Sequence, residues 1–347
     1  MPPRDPVADL RQIAFRLERS LEPTFRVKAF RTAAGVAEDL PPGELATRAT
    51  EGTLTKLTGI GDKTARCITE SLAGEIPDYL RRLLSTEPAP VDEATAALRQ
   101  RLRGDCHLHS DWSDGGSPIR EMALTARDLG HEYIVLTDHS PRLTVANGLS
   151  AERLERQLDV VAELNAELSP FRILTGIEVD VVDDGKLDQN PSLLARLDLV
   201  VASVHSKLRM PSKEMTPRMV AAISNPHTDI LGHCTGRMVR GRDGRSTRPE
   251  SEFEAEIVFA ACERFGVAVE INSRPERLDP PKRLLRQAVE AGCLLSLDTD
   301  AHAPGQLDWQ VNGCERAVQC EVDPDTIVNT WAMDDLLAWT ADHSVRA

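Results

Sequence analysis

The sequence predicts an α/β barrel preceded by a small all-helical segment, and three observations carry that prediction. From Gly104 onward, short apolar runs alternate with helical stretches, as in a sheet whose strands are connected through helices. The ends of those runs collect histidines and carboxylates, and a barrel builds its site from the carboxyl ends of its strands. Residues 1–86, by contrast, carry the 3.6-residue apolar spacing of helices.

Length and composition bound the rest. At 347 residues the chain exceeds one average domain, which suits a barrel plus a smaller unit. A hydrophobic fraction of 41% with 28% charged residues describes an ordinary soluble protein. No run of about 18 apolar residues occurs, and Met1-Pro2-Pro3-Arg4-Asp5 has no apolar signal core. A cytoplasmic protein without membrane contact is expected. The seven cysteines are scattered, with no Cys-x-x-Cys pair, which argues against a zinc ribbon and against a disulfide framework. The net charge of −14 is uneven: residues 1–86 hold 13 basic and 12 acidic side chains, leaving 28 and 43 for the remainder. The acidic excess therefore belongs to the second segment.

Within residues 1–86, Val7, Leu10, Ile13, Ala14, Leu17 and Leu21 fall on one helical face. A second helix is predicted over Phe25 to Val36. Next comes Leu57-Thr58-Gly59-Ile60-Gly61-Asp62-Lys63-Thr64-Ala65-Arg66. Gly59 and Gly61 let the chain reverse and expose backbone N–H groups at a helix start, an arrangement that can hold phosphate. Lys63 and Arg66 stand in the first turns. The stretch resembles the helix-hairpin-helix motif of DNA repair proteins. Residues 8–84, with Phe25-Arg26-Val27-Lys28-Ala29-Phe30-Arg31-Thr32-Ala33-Ala34, resemble the N-terminal domain of family X DNA polymerases. The resemblance implies that Gly59, Gly61, Lys63 and Arg66 contact the DNA phosphate backbone, without reading sequence. Cys67 stands where eukaryotic repair members of that family place a Schiff-base lysine, so abasic-site lyase chemistry there is not expected. The alternative is a helical turn with a glycine cap and no ligand.

Residues 87–103 are expected to join the two segments through a Pro-containing linker and a helix over Ala94 to Leu102. Bacterial family X polymerases carry a polymerase catalytic domain at this point. None stands between residues 86 and 104, so nucleotide polymerisation is not expected, and a separate DNA polymerase or ligase becomes a candidate partner.

In residues 104–347 the predicted strands are Asp105–His107, Tyr133–Leu136, Ile173–Ile177, Leu199–Val204, Asp229–Leu231, Val267–Ile271 and Leu294–Leu297. Their ends carry His107 and His109, His139, Glu178, His205, His233, Asn272, and Asp300 with His302. Asp114 follows the first in a Gly-rich turn. In a strand, His-x-His places both imidazoles on one side. So many imidazoles with Asp114, Glu178 and Asp300 suit Zn²⁺, Mn²⁺ or Fe²⁺ better than Mg²⁺ or Ca²⁺. They are too many for one ion, which implies two or three metals with a carboxylate such as Glu178 bridging.

The phrases Asp105-Cys106-His107-Leu108-His109-Ser110, Leu136-Thr137-Asp138-His139-Ser140, Gly176-Ile177-Glu178-Val179-Asp180, Ser203-Val204-His205-Ser206, Gly232-His233-Cys234-Thr235-Gly236-Arg237, Glu270-Ile271-Asn272 and Thr299-Asp300-Ala301-His302 together resemble the PHP (polymerase and histidinol phosphatase) domain. The likeness is closest to the branch fused to bacterial family X polymerases. It implies a distorted (β/α)7 barrel. It also implies that His107, His109, Glu178 and Asp300 hold one metal, Glu178, His205 and His233 a second, and Asp114, His139 and His302 a third. Cys234 departs from the usual proline. Catalytic roles are expected for His107, His109, Glu178, Asp300, His302 and Arg237. Lys207, Arg240, Arg274 and Arg237 follow motif residues closely and are expected to meet phosphate oxygens.

Other residues have plainer readings. His131 and His227 are expected at the surface or at helix caps. Asp111, Asp138 and Asp180 are expected to orient imidazoles, Asp298 to be structural or to support a metal ligand from behind, Asp183-Asp184-Gly185 to form a turn, and Trp112 and Trp309 to stack on a base or to pack. The functional expectation is a metal-dependent phosphodiesterase on DNA, a 3′→5′ exonuclease or 3′-end processing enzyme. The alternative is a small-molecule phosphomonoesterase of histidinol-phosphatase type, which has no need of the first segment. A third class is a DNA-binding scaffold whose metals only stabilise the fold.

Overall fold

Local signals explain where the first helices begin. The Asp5 carboxylate accepts from Val7 N at 2.9 Å and Pro6 fills the first helical position, an arrangement that costs no backbone donor. The helix that follows, α1 (Pro6–Arg19), buries Leu10, Ile13, Ala14 and Leu17 on one face. Each large apolar side chain so buried contributes roughly 1.5–3 kcal/mol. Against α1 pack α2 (Thr24–Glu38), α4 (Asp62–Leu72) and α5 (Asp78–Leu84), with α3 (Glu44–Thr50) beside α4. Gly59 adopts φ +97°, and a Cβ there would lie 2.8 Å from Thr32 Cγ2. Glycine is thus required both by the turn and by its approach to α2.

The computed structural model describes residues 4–87, 89–241 and 247–342. The chain divides into two compact units, residues 1–90 and 91–347. Helix α6 (Glu93–Arg101), which the sequence placed in the join, packs on a helix of the second unit. Leu98 and Leu102 bury their side chains in the second unit's core, which shortens the join.

The second unit continues with β1 (Gly104–Leu108), α7 (Ile119–Asp128), β2 (Tyr133–Leu136), α8 (Ala151–Leu168), β3 (Arg172–Asp180), α9 (Pro191–Leu194) and β4 (Leu199–Ser203). It ends with α10 (Ser212–Ile223), β5 (Ile230–Leu231), α11 (Ala255–Phe265), β6 (Ala268–Asn272), α12 (Lys282–Glu290), β7 (Leu295–Asp298), α13 (Gln310–Gln319) and α14 (Met333–Ala341). The seven strands are parallel and lie in sequence order, forming the nearly closed seven-stranded barrel expected. A bridge between Leu108 and Ala301 joins its edges, with Asp300 N donating to His107 O at 2.9 Å and His109 N to Ala301 O at 2.8 Å. Below that point carboxylates replace the ladder. Asp298 Oδ1 accepts from Cys106 N at 2.8 Å and from Asn329 Nδ2 at 2.8 Å, and Asp105 Oδ1 accepts from Thr299 N at 3.3 Å. Asp298 is structural, as expected.

Alternation along the strands sorts the core and aims the site. Ile134, Leu136 and Ile173 pack with α7 and α8, while Tyr133, Val135, Leu174, Leu199, Val201, Ile230 and Ala268 form a separate interior cluster. Counting by twos from that interior set reaches His139, Glu178, His205, Glu270 and Asn272. Two strands break the count. The β1 pairing shifts between Asp105 and Leu108, which turns His107 inward after the interior Cys106. In β5 the step occurs at Gly232, where a Cβ would lie 2.3 Å from Ser203 Oγ.

Candidate metal centre

At the carboxyl mouth of the barrel, five imidazoles surround Glu178, and a sixth, His302, stands by Asp114. His107 Nε2 and His109 Nε2 lie 3.4 and 3.7 Å from its Oε2, and His139 Nδ1 lies 2.8 Å away. Its Oε1 accepts from His233 Nε2 at 2.9 Å and lies 3.2 Å from His205 Nε2. His302 Nε2 and His139 Nε2 approach Asp114 Oδ1 to 3.3 and 3.5 Å, and His109 Nε2 approaches Asp300 Oδ1 to 3.4 Å. Among the described residues, three groups of donor atoms, each within 4.8 Å of one another, could hold a metal ion: His109, Asp114, His139 and His302; His107, His109 and Glu178; and His139, Glu178 and His205.

The donor chemistry fits metal. His107 Nε2, both nitrogens of His109 and of His205, His139 Nδ1 and Glu178 Oε2 are buried without a hydrogen bond despite these short separations. Buried polar atoms rarely stay unpaired, and nitrogens and carboxylate oxygens that crowd without bonding are arranged as ligands are. Burial pushes the Glu178 carboxyl upward, but His107, His205 and His139 outweigh it and hold the group well below the usual carboxylate range. Burial, aided by His302 and His139, pushes His109 down to about 3. His205 is raised to about 9 because Glu178 and Asp180 overcome burial. A cation bound among these groups takes the place of such protons.

Residues behind the imidazoles set their orientation. His107 Nδ1 donates to Glu270 Oε1 at 2.6 Å; since a carboxylate only accepts, Nε2 is left for the cluster. Glu270 also accepts from His233 N. Arg277 Nε donates to Asp300 Oδ2 at 2.9 Å and Asn272 Nδ2 lies 3.3 Å from the same atom, which leaves Oδ1 towards His109. His302 Nδ1 donates to Asp300 O at 2.8 Å, freeing Nε2 towards Asp114. The sequence did not single out Glu270 and Arg277 for these roles. Glu270 was legible as an acid two positions before Asn272 on the interior face of an apolar strand; Arg277 carried no such signal.

The other predicted residues fall variously. Asp138 holds the loop after β1 through Ser110 N at 2.8 Å, Ser110 Oγ at 2.6 Å and Gln157 Nε2 at 2.7 Å, and orients no imidazole. Asp180 Oδ1 accepts from His205 N at 3.1 Å. Arg274 is buried, donates to Asp300 O at 3.1 Å, reaches His302 Nδ1 at 3.1 Å and lies over Trp309. Trp309 is itself buried and packs. Arg237 is not brought to the cluster. Its Nε donates to Arg277 O at 3.1 Å, its Nη2 to Leu278 O, and its Nη1 lies 3.6 Å from Glu250, so those donors are committed. Lys207 Nζ donates to Asp183 at 2.5 Å, and Arg240 is exposed. The Cys234 thiol is buried, raised well above its ordinary value by burial and by Asp279, and 3.9 Å from that carboxylate. His131 is buried, not at the surface, with Nε2 2.8 Å from Gln310 Oε1.

In the first unit, Thr64 Oγ1 accepts from Gly61 N at 3.0 Å at the start of α4. Gly59, Gly61 and Lys63 are exposed, and the exposed Arg66 pairs with Glu70 at 2.8 Å. Burial pushes the Cys67 thiol up to about 11, which suits a core residue.

A parallel seven-stranded barrel with this cluster at its mouth has the donor set of a centre for divalent metals. Residues 105–274 match the PHP domain and residues 1–75 a helix-hairpin-helix domain. The chain thus carries a PHP domain with a helix-hairpin-helix domain before it. It is 38% identical over 239 residues to the DNA polymerase/3′-5′ exonuclease PolX of Bacillus subtilis (strain 168), a match covering 69% of this chain and 41% of that protein. It is 29% identical to a protein named Probable phosphatase from Thermoanaerobacter sp. (strain X514), across 65% of this chain and 89% of the relative. A crystal structure of histidinol phosphate phosphatase from Lactococcus lactis subsp. lactis Il1403, complexed with zinc, L-histidinol and phosphate, aligns with a TM-score of 0.45 and 18% identity, covering 63% of this chain and 92% of that one. Among the described residues no helix is long and apolar enough to cross a membrane.

Proposed function

We propose that the chain is a metal-dependent phosphodiesterase acting on DNA, a 3′→5′ exonuclease or 3′-end processing enzyme. The observation that carries this reading is the union, in one chain, of a helix-hairpin-helix domain with the imidazole and carboxylate cluster around Glu178. The exonuclease named among the relatives supports it. The second reading, a phosphomonoesterase on a small metabolite, draws on the probable phosphatases, which the barrel matches over most of their length.

In the proposed site His107, His109, Glu178 and Asp300 would hold one divalent ion, Glu178, His205 and His233 another, and Asp114, His139 and His302 a third, with Zn²⁺ or Mn²⁺ favoured by the nitrogen-rich donor set and Fe²⁺ also accommodated. Such ions, when bound, supply the Lewis acidity that activates water and offsets phosphate charge. The protein does the rest. Glu270, Asn272 and Arg277 fix the rotamers of His107 and Asp300 before substrate arrives, so little reorganisation accompanies the reaction. Asp114, His205 and His302 are the more exposed members, with 28%, 12% and 13% of their side-chain surface accessible, and they form the edge at which a strand end enters. Arg274, held beside His302, presents fixed positive charge to the phosphoryl oxygens.

Digestion of 5′-labelled single-stranded and gapped DNA with Mn²⁺, beside a panel of small phosphomonoesters and with His107→Ala as control, tests the proposal. Expected is a ladder shortening from the 3′ end that the variant does not produce. Phosphate release from the small esters alone would move the protein to the second class.

A further inference from the structure

Beside the metal centre the second unit has another cavity, of about 670 Å³, lined in part by Ser212, Arg237, Arg248, Glu250, Arg283 and Leu284. Its position follows from topology. Arg237 and Arg248 belong to the connection after β5, and Ser212 and Arg283 to the first turns of α10 and α12, which follow β4 and β6. All of these lie at the carboxyl end of the barrel, where the Glu178 cluster also stands. A short relay links the two places. Asp300 is bonded to Arg277 at 2.9 Å, the Arg277 carbonyl accepts from Arg237 Nε at 3.1 Å, and Arg237 Nη1 approaches Glu250 in the cavity to 3.6 Å.

The chemistry of the lining is that of an anion site. Three guanidinium groups meet there in a chain whose formal charge is −14. Glu250 is the carboxylate set among them, paired with Arg283 and approached by Arg237. Glu252, also in the lining, is exposed. Arg248 is partly buried, and its Nε donates to Gly236 O at 2.6 Å, which fixes the guanidinium against the wall. Burial first, and Arg277 after it, push that guanidinium below its ordinary value, with Asp279 opposing them. Both helices that open on the cavity begin after a proline, Pro211 and Pro281, so no side chain caps their first N–H groups. Those groups and the helix dipoles add to the positive potential. A pocket of this size and charge accommodates a phosphate with part of the group it is attached to.

We propose that this cavity is a second phosphate site, which holds a non-scissile phosphodiester of a nucleic-acid strand whose end lies at the metal centre. The inference rests on the nuclease reading above and deepens it, because a substrate with a single phosphate cannot use both places. Arg248 and Arg283 supply the N–H donors that guanidinium groups offer to phosphodiester oxygens, while Arg237, its donors held by the Arg277 and Leu278 carbonyls and facing Glu250, adds positive charge; contacts of this kind position a strand without reading its bases. Glu250 keeps the site from being saturated by free anions, since a carboxylate among the arginines offsets part of their charge until a multiply charged strand competes for them.

Arg283→Gln and Glu250→Gln test the proposal in the metal-loaded, full-length protein, with a 12-nucleotide strand and bis(p-nitrophenyl) phosphate as paired substrates. Arg283→Gln is expected to raise KM for the strand about five- to tenfold with little change in kcat, to lower the salt slope by about one, and to leave the small diester unaffected. Glu250→Gln is expected to lower KM for the strand, a gain that misfolding does not mimic. Equal changes on both substrates, or none on the strand, would overturn the assignment. A fluorescent phosphorothioate strand read by anisotropy separates this failure from failure of the nuclease reading. If the wild type cleaves only small esters, weaker binding by Arg283→Gln still supports the cavity as a strand site, and unchanged binding removes it. Inorganic phosphate serves as the last probe: competition that vanishes in Arg283→Gln while strand affinity stays constant would assign the cavity to free phosphate and overturn the proposal.

Discussion

Glu270 shows how much one residue outside the imidazole cluster decides. It is wholly buried, accepts from His107 Nδ1 at 2.6 Å and also from His233 N, so it sets the tautomer of one imidazole and the backbone position of another. Partners of this kind are worth about 10- to 100-fold in metal affinity. Glu270→Gln is therefore expected to release metal to a competing chelator at correspondingly lower chelator concentration, with activity recovering as metal is added back. Unchanged affinity would mean that packing alone holds His107. His131 makes a different prediction. Burial, with Arg99 adding to it, lowers its pKa from 6.5 to about 3, so the ring is neutral in the folded chain. Below pH 6.5 the unfolded chain takes up a proton that the folded chain refuses until about pH 3. Stability is therefore lost as pH falls through that window, by up to about 1.4 kcal/mol per pH unit. Urea unfolding at pH 7 and pH 5 should give a shallower decline for His131→Gln than for the wild type; parallel declines would show that the ring is not kept neutral.

At the scale of elements, the metal centre depends on two loops that no strand ladder joins. The loop after β1 carries Asp114, and the loop after β2 begins at His139 and runs to Leu149. Arg153, in the first turn of α8, fastens them together. Its Nη1 donates to Asn147 O at 2.6 Å and to Gly148 O at 3.1 Å, and its Nη2 donates to Trp112 O. Asn147 Nδ2 adds a bond to the same Trp112 carbonyl at 3.2 Å. Removing the strap loosens the loop that carries Asp114, which is then held to the second loop through the bonds of Ser110 and Ser113 to Asp138, while leaving the strands intact. Arg153→Met is accordingly expected to lose about one bound metal per chain, measured by elemental analysis, with the barrel's circular dichroism unchanged. Full metal content in the variant would show that the loops hold their positions without the strap.

For the whole molecule, the division into two units would, on the proposed function, separate docking from chemistry. Each unit has its own apolar core: Leu10, Ile13, Phe30, Ile68 and Leu80 in the first, and the clusters inside and around the barrel in the second. Lys63 and Arg66 project from the exposed start of α4, far along the chain from every residue of the metal centre. A Lys63→Ala/Arg66→Ala pair is expected to weaken hydrolysis of DNA through KM, about tenfold at moderate salt, while turnover of a small chromogenic ester stays constant. Equal loss on both substrates would count against a docking role for the first unit.

The sequence by itself determined the barrel, its seven strands and part of the cluster, because strand alternation is a local property. Counting by twos from Tyr133, Leu174, Leu199 and Ala268 reaches His139, Glu178, His205 and Glu270 without knowledge of any neighbour. The helix-hairpin-helix turn was legible for the same reason: Gly59 answers a local demand for positive φ. Only the tertiary structure decided what depends on residues distant in the chain. It grouped His139 with Glu178 and His205, tied Arg277 to Asp300, and committed Arg237 to the carbonyls of Arg277 and Leu278. It also buried His131 against Gln310, where the sequence showed only a histidine next to a glycine. Hydrogen-bond donors are claimed by whichever acceptor the fold brings close, and sequence spacing carries no record of contacts between segments that here lie 23 to 179 residues apart.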